Sequence, residues 1–156
     1  MTKLVVVKFG GSAIGPDGST IPEIVKRIND LKKDSKVIAV FSAPLTMHDG
    51  KMRSLTDVVL EQGRNAESGI NPSLDIVKST YQKILEMVNS ENKEDCRKTI
   101  DLHLEKVQKA LDEAFVNKEF ADEIRSRALA FSGEILMSHV MNYVLRSDGI
   151  KTDAVG

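Results

Sequence analysis

The sequence predicts an α/β protein in which a parallel sheet carries helices on its faces and the middle of the chain is helical. Three observations predict it. Short apolar runs stand at Leu4-Val5-Val6-Val7 and at Val37-Ile38-Ala39-Val40-Phe41. Between them Ile24, Val25, Ile28 and Leu31 recur at helical spacing. From Asn71 to Leu145 the apolar residues again fall at helical intervals. A strand-helix-strand unit of this length predicts a parallel pair joined by a right-handed crossover.

The first buried strand is read as Leu4 to Phe9. Gly15-Pro16-Asp17-Gly18-Ser19 is a turn-rich loop. Thr20 can cap the helix that follows, with Pro22 in its first turn. Asp34-Ser35 breaks that helix before the second buried strand, Val37 to Phe41. Pro44 to about Arg53 reads as polar and irregular. Ser54-Leu55-Thr56-Asp57 fits a capping-box-like start, and the helix it opens is expected to end near Gly63. Asn71-Pro72 reads as a cap and first turn for a helix marked by Leu74, Val77, Tyr81, Ile84, Leu85 and Val88. After a break at Asn89 to Asn92, Cys96, Ile100, Leu104, Val107, Leu111 and Phe115 trace one continuous helical stripe. Glu119 to Phe131 and Glu134 to Arg146 are two further helices, separated by a break at Gly133. Asp148-Gly149 ends the last of them, and Lys151 to Val155 begins a third strand of the sheet.

Length and composition bound what the chain can do. It has 156 residues, enough for one domain with a sizeable core. Its 22 basic and 23 acidic residues leave a formal charge of −1, so no global charge favours nucleic acid or a membrane surface. No apolar stretch approaches the roughly 18–20 residues that span a bilayer, and the N-terminus lacks the features of a signal peptide. The lone Cys96 excludes an intrachain disulfide and a cysteine-cluster metal site. His48, His103 and His139 are far apart in sequence and form no ligand spacing, so they read as polar or helix-surface residues. The composition agrees with a reducing cytoplasm.

The chemistry concentrates at Lys8-Phe9-Gly10-Gly11-Ser12. Glycine lacks Cβ, so the amides of Gly10 and Gly11 can approach a ligand closely. Successive exposed N–H groups form an anion-binding concavity. Lys8 adds an ammonium and Ser12 a hydroxyl, a set that suits a polyphosphate whose terminal group is transferred. An ordinary strand-turn with a surface lysine fits the same residues. The segment is not a P-loop, because the four-residue spacer and the Gly-Lys-Ser/Thr ending are missing.

Lys8-Phe9-Gly10-Gly11 resembles the N-terminal signature of the amino acid kinase superfamily, and most closely that of its aspartokinase branch. Val37 to Ala43 resembles the family's second strand with its Ser-Ala end. Leu55-Thr56-Asp57 resembles the Thr-Asp/Asn that follows, and Ser132-Gly133-Glu134 the Gly-Glu that opens a helix. Gly149 to Ala154 matches the next turn and strand. The resemblance implies a three-layer αβα domain of which this chain is the N-terminal, acceptor-substrate half, the nucleotide half and regulatory domains being absent. It implies transfer of the γ-phosphate of ATP, accompanied by Mg²⁺, to the side-chain carboxylate of L-aspartate. Carried over residue by residue, Lys8 is the catalytic stabiliser of the transferred phosphoryl group. Gly10, Gly11 and Ser12 are phosphate-binding, and Ser42, Thr56 and Glu134 are substrate-binding. Glu134 meets the α-amino group. No metal ligand is assigned.

Lys8, Gly10, Ser42 and Glu134 are expected at one cleft at the strand ends. The stretch Pro44 to Ser54, with His48, Asp49, Lys51 and Arg53, is longer than the family pattern. It reads as a mobile lid, a reshaped pocket or a surface insertion. Self-association, or association with the missing half, is expected. Another amino acid kinase with a different acceptor, or a non-catalytic binding half-domain, remains an alternative.

Overall fold

The two apolar runs form the expected parallel pair in a computed structural model that describes residues 2–153. β1 (Lys3–Phe9) and β2 (Ser35–Phe41) pair in register from Lys3 with Ser35 to Phe9 with Phe41. Gly11–Ile14 forms a single turn of helix, α1, and Ile21–Lys32 forms α2, the crossover between the strands. Phe9 and Phe41 stack at 5.5 Å between ring centroids and close the helix-covered face of the pair.

The strands, read as buried from their apolar runs, are buried on one face only. β1 and β2 alternate, with Phe9 and Phe41 buried and Leu4, Val6, Ile38 and Val40 exposed by 63%, 65%, 50% and 44%. A continuous β-branched run marks a strand that tolerates burial on both faces. Among the described residues, α2 and the later helix Glu134–Ser147 cover one face of β2, and the other is open. Residues 151–153 are not a strand, and the remainder of that expected element, Ala154 and Val155, lies outside the described residues.

The stretch expected to be irregular is a hairpin. β3 (Leu45–His48) and β4 (Lys51–Ser54) pair antiparallel, with Leu45 opposite Ser54 and His48 opposite Lys51. Asp49 and Gly50 form the tip with φ of 50° and 72°, the pair of positive angles that a two-residue hairpin turn of matching twist requires.

The rest is helical: α3 (Leu55–Glu67), α4 (Asp75–Leu85), α5 (Ser90–Asn117), α6 (Asp122–Ser132) and α7 (Glu134–Ser147). α5 is the spine, packed against α3, α6 and α7. Its predicted stripe is buried from Cys96 through Leu111. Burial pushes the Cys96 thiol up to about 12, so it stays a protonated, small apolar residue at neutral pH.

Two helix ends differ from the sequence reading, and one cap works differently, for local reasons. Thr20 stands at the N-cap of α2 as read, but its hydroxyl makes no capping bond; it donates to the Ala13 carbonyl and ties α2 to α1. α4 starts at Asp75 rather than at Pro72. Ser73 N–H donates to Gln62 Oε1 at 2.8 Å, and Ser73 Oγ accepts from Asp75 N–H, which holds Asn71–Leu74 outside the helix. α3 runs past Gly63 to Glu67. Gly63 is there for close approach, since a Cβ on it would lie 2.2 Å from the Phe120 ring. Gly63→Ala is therefore expected to lower stability by about 1–3 kcal/mol despite alanine's better helix propensity, because the ring must move out of place. A denaturant midpoint shifted down at unchanged slope is the expected reading.

Two of the histidines, far apart in sequence, are neighbours in space. The rings of His103 on α5 and His139 on α7 lie 5.1 Å apart, and His103 is buried. Its Nδ1 donates to the Thr99 carbonyl at 2.8 Å, which fixes the tautomer when the ring is neutral. Burial pushes the His103 pKa below the ordinary histidine value; the Thr99 bond acts against this, and His139 and Lys106 add to the depression. With the folded value below the unfolded one, the unfolded chain takes up the proton first as pH falls. The stability present above the unfolded value is lost as pH drops through it toward the folded value. Between pH 7.5 and 5.5 the melting temperature should therefore fall more in the wild type than in His103→Gln. Equal falls would mean that His103 does not contribute.

Candidate functional site

The C-terminal ends of β1 and β2 open into a cavity of about 620 Å³. It is lined by Gly11, Ser12, Ser42, Ala43, Leu45, Ser54, Thr56, Ser126, Leu129, Ala130, Gly133 and Glu134. Five of the residues singled out from sequence are among these, from four separate segments: Gly11 and Ser12 on α1, Ser42 after β2, Thr56 on α3 and Glu134 on α7. Crevices outside strand C-termini are the usual place for ligands in open α/β sheets.

Each segment reaches the cavity for a local reason. Ser42 N–H donates to the Phe9 carbonyl at 3.0 Å, which carries the strand pairing one residue beyond β2. At the end of β1 the Gly10 carbonyl accepts from Ala13 and Ile14 N–H as α1 begins. The first-turn N–H groups of Gly11 and Ser12 are left with no intrahelical acceptor. Gly11 must be small, because a Cβ there would sit 3.1 Å from Leu45 Cδ2 and 3.3 Å from the Ala43 carbonyl. Ser54 caps α3 by accepting from Asp57 N–H at 3.1 Å, as its sequence suggested, and Thr56 follows in the first turn of that helix.

Glu134 opens α7 immediately after the Gly133 break. That junction is held tightly. A Cβ on Gly133 would meet the Leu129 carbonyl at 3.0 Å and the Ala43 Cβ at 3.1 Å, so glycine lets the α6–α7 corner press on the strand end. Ser132 is buried, its hydroxyl donates to the Ala128 carbonyl, and its own carbonyl accepts from Tyr81 Oη at 2.6 Å. Tyr81 is wholly buried, and burial raises its phenol pKa, so it donates as the neutral hydroxyl. The exposed carboxylate of Glu134 is the only charged side chain in the lining.

Lys8 and Gly10 stand outside that lining. Lys8 is exposed and shares its strand face with Leu4 and Val6, the open face of the sheet, while Glu134 belongs to a helix on the covered side. The two therefore approach the strand ends from different sides rather than sharing one cavity wall.

Sequence reasoning missed Leu45, Ser126, Leu129 and Ala130. The last three share one face of α6 with Gly133, at helical spacing upstream of it, and that spacing was the available signal. Ser54, which the sequence marks only as a cap, lines the cavity as well. Among the described residues no group of three histidine, cysteine, aspartate or glutamate side chains is placed to hold a metal ion. No helix among them is long and apolar enough to cross a membrane.

A family model described as "Amino acid kinase family" matches residues 3–156. The chain belongs to the amino acid kinase family, a family of phosphotransferases. Among solved structures it is similar to E. coli aspartokinase III in complex with lysine and aspartate in its T-state, with a TM-score of 0.59 and 19% identity. That match covers 96% of this chain and 30% of the aspartokinase chain. At that identity the likeness is one of fold. No curated protein matches the sequence.

Proposed function

We propose that this chain is the acceptor-binding half of an aspartate kinase domain. The observation that supports it best is the gathering of Gly11, Ser12, Ser42, Thr56 and Glu134 around one cavity at the ends of parallel strands. An amino acid acceptor brings an ammonium group and carboxylates. A single carboxylate, Glu134, suits the ammonium, which presents three donors and a charge. The hydroxyls of Ser12, Ser42 and Thr56 can donate to a carboxylate. The similarity of fold to an aspartokinase solved with aspartate, together with Lys8-Phe9-Gly10-Gly11, favours L-aspartate over other acceptors.

In this reading a side-chain carboxylate oxygen of L-aspartate forms a bond to the γ-phosphorus of ATP. The bond from that phosphorus to the oxygen bridging it to the β-phosphate breaks. 4-Phospho-L-aspartate and ADP leave, the entry to lysine, threonine and methionine synthesis in the cytoplasm. The protein's part is positioning and charge stabilisation. The free N–H groups of Gly11 and Ser12 face negative charge, with Gly10 allowing the close approach. Lys8 reaches the strand end from the open face, so the nucleotide approaches on that side and the acceptor on the helix side. Mg²⁺ would arrive with ATP and neutralise phosphate charge, and no residue of this chain is assigned to hold it.

A coupled ADP-release assay on the full-length enzyme tests the reading. ADP release that requires L-aspartate and stays near background with L-glutamate is expected. Release with a different acceptor and none with L-aspartate would make the chain part of another amino acid kinase. Residues 1–156 alone should turn over little, since orienting both reactants supplies roughly 7–11 kcal/mol of barrier reduction and these residues span 30% of the aspartokinase chain they match. Strong aspartate-dependent turnover by these residues alone, abolished by Lys8→Ala, would instead describe a self-sufficient small kinase.

A further inference from the structure

Asp17 lies in the loop that leaves the glycine segment and has no part in the chemistry above. Its backbone is left-handed, with φ of 53°, and its side chain is only 16% exposed. Oδ1 accepts from the Thr46 hydroxyl at 3.2 Å and from the Thr80 hydroxyl at 2.9 Å, and Oδ2 from Lys83 Nζ at 3.3 Å. Thr46 and Thr80 are both buried. Asp17 N–H donates to the Leu45 carbonyl at 2.8 Å, and Pro16 bridges to the same residue. One residue thus ties the glycine segment to the base of the β3–β4 hairpin and to α4.

The consequence reaches the cavity. Leu45 is part of its wall and lies against Gly11, and Ser54, opposite Leu45 across the hairpin, is part of it too. We infer that Asp17 is a positioning residue for acceptor binding: its carboxylate latches the hairpin so that Leu45 and Ser54 complete the acceptor wall beside Gly11. This rests on the acceptor-site reading above. The hydroxyls of Thr46 and Thr80 are buried donors whose acceptor is this carboxylate, so losing it removes the side-chain tie of the hairpin to α4 and leaves only the backbone tie to the glycine loop. The Lys83 pair is a lesser part, because Lys83 is 53% exposed.

The test compares Asp17→Gly, Asp17→Asn and Lys83→Ala in the full-length enzyme. Glycine accepts the positive φ and keeps the N–H to Leu45, so it removes only the carboxylate. Asp17→Gly is expected to raise KM for L-aspartate about tenfold while leaving KM for ATP within about twofold, because a misplaced wall is costly only for the ligand it touches. Asp17→Asn keeps an acceptor for the threonine hydroxyls and should restore the aspartate KM to within about threefold. Lys83→Ala should change either constant by less than about twofold. Hydrogen exchange at Leu45–Ser54 should speed up about tenfold or more in Asp17→Gly, with α5 unchanged.

Should Asp17→Gly fail to fold, Thr46→Val releases the hairpin tie alone and should move the same KM and the same amides in the same direction. A merely stabilising role would lower the melting temperature without separating the two KM values. Equal shifts in both KM values, or unchanged hairpin exchange, would overturn the latch. Lack of aspartate turnover by the unaltered enzyme would overturn the kinase reading instead, and hairpin exchange would still decide the latch.

Discussion

Lys8→Ala should lower kcat of the full-length enzyme by about 10²–10³-fold, the loss seen when one preorganised donor to transition-state charge is removed, about 2.7–4 kcal/mol. Lys8 stands one residue before the end of β1 on its open face, exposed and without a partner among the described ion pairs. Truncating it disturbs no packing, so stability should change by no more than about 0.5 kcal/mol. The loss of rate would then belong to chemistry rather than to unfolding. Lys8→Arg should recover little of it, since a planar fork does not replace a compact ammonium at a fixed distance. KM for L-aspartate should hardly move, because Lys8 stands outside the acceptor cavity. Steady-state kinetics beside a denaturant melt would check all three points. A kcat within about threefold of wild type would remove Lys8 from the mechanism, given the size of effect expected of such a donor.

Glu134→Gln should do the converse. Glutamine keeps the length and a carbonyl acceptor but loses the charge facing the ammonium. A hydrogen bond to a charged group contributes about 1.5–3 kcal/mol, so KM for L-aspartate should rise roughly ten- to a hundredfold. KM for ATP and kcat at saturating aspartate should change far less. Glu134 also sits in the first turn of α7, where a carboxylate complements the helix dipole, so a stability loss of about 0.3–1 kcal/mol is expected beside the kinetic effect. A rise in KM for ATP instead would put Glu134 on the nucleotide side.

How far the sequence foretold these features depended on how local they were. The pairing of β1 with β2 follows from two β-branched runs around one amphipathic helix, all within a short segment. The long stripe of α5 is a local periodicity, and the Gly133 corner is marked by its own residue. The hairpin was harder to see, because each strand has only four residues and the Leu45-Thr46-Met47-His48 alternation is inverted: polar Thr46 is buried while Met47 and Met52 are exposed. Asp49-Gly50 was its clearest local sign. Tertiary contacts left no such trace. The partners of Asp17 are 29, 63 and 66 residues away, and Gly63 looks like a helix end until Phe120 is seen against it. His103 and His139 meet only because α5 and α7 pack together. For the site, the family motifs named residues from four segments that face one cavity. They carried no information on which side of the sheet Lys8 would stand, since that depends on strand phase.

The central claim is that the cavity between Gly11, Ser42 and Glu134 receives the amino acid acceptor. A crystal structure of the full-length enzyme with L-aspartate tests it most directly. Aspartate is expected at the C-terminal ends of β1 and β2, its ammonium hydrogen-bonded to the Glu134 carboxylate and a carboxylate beside Ser42. Aspartate bound away from these strand ends, with the Glu134 carboxylate left facing solvent, would contradict it.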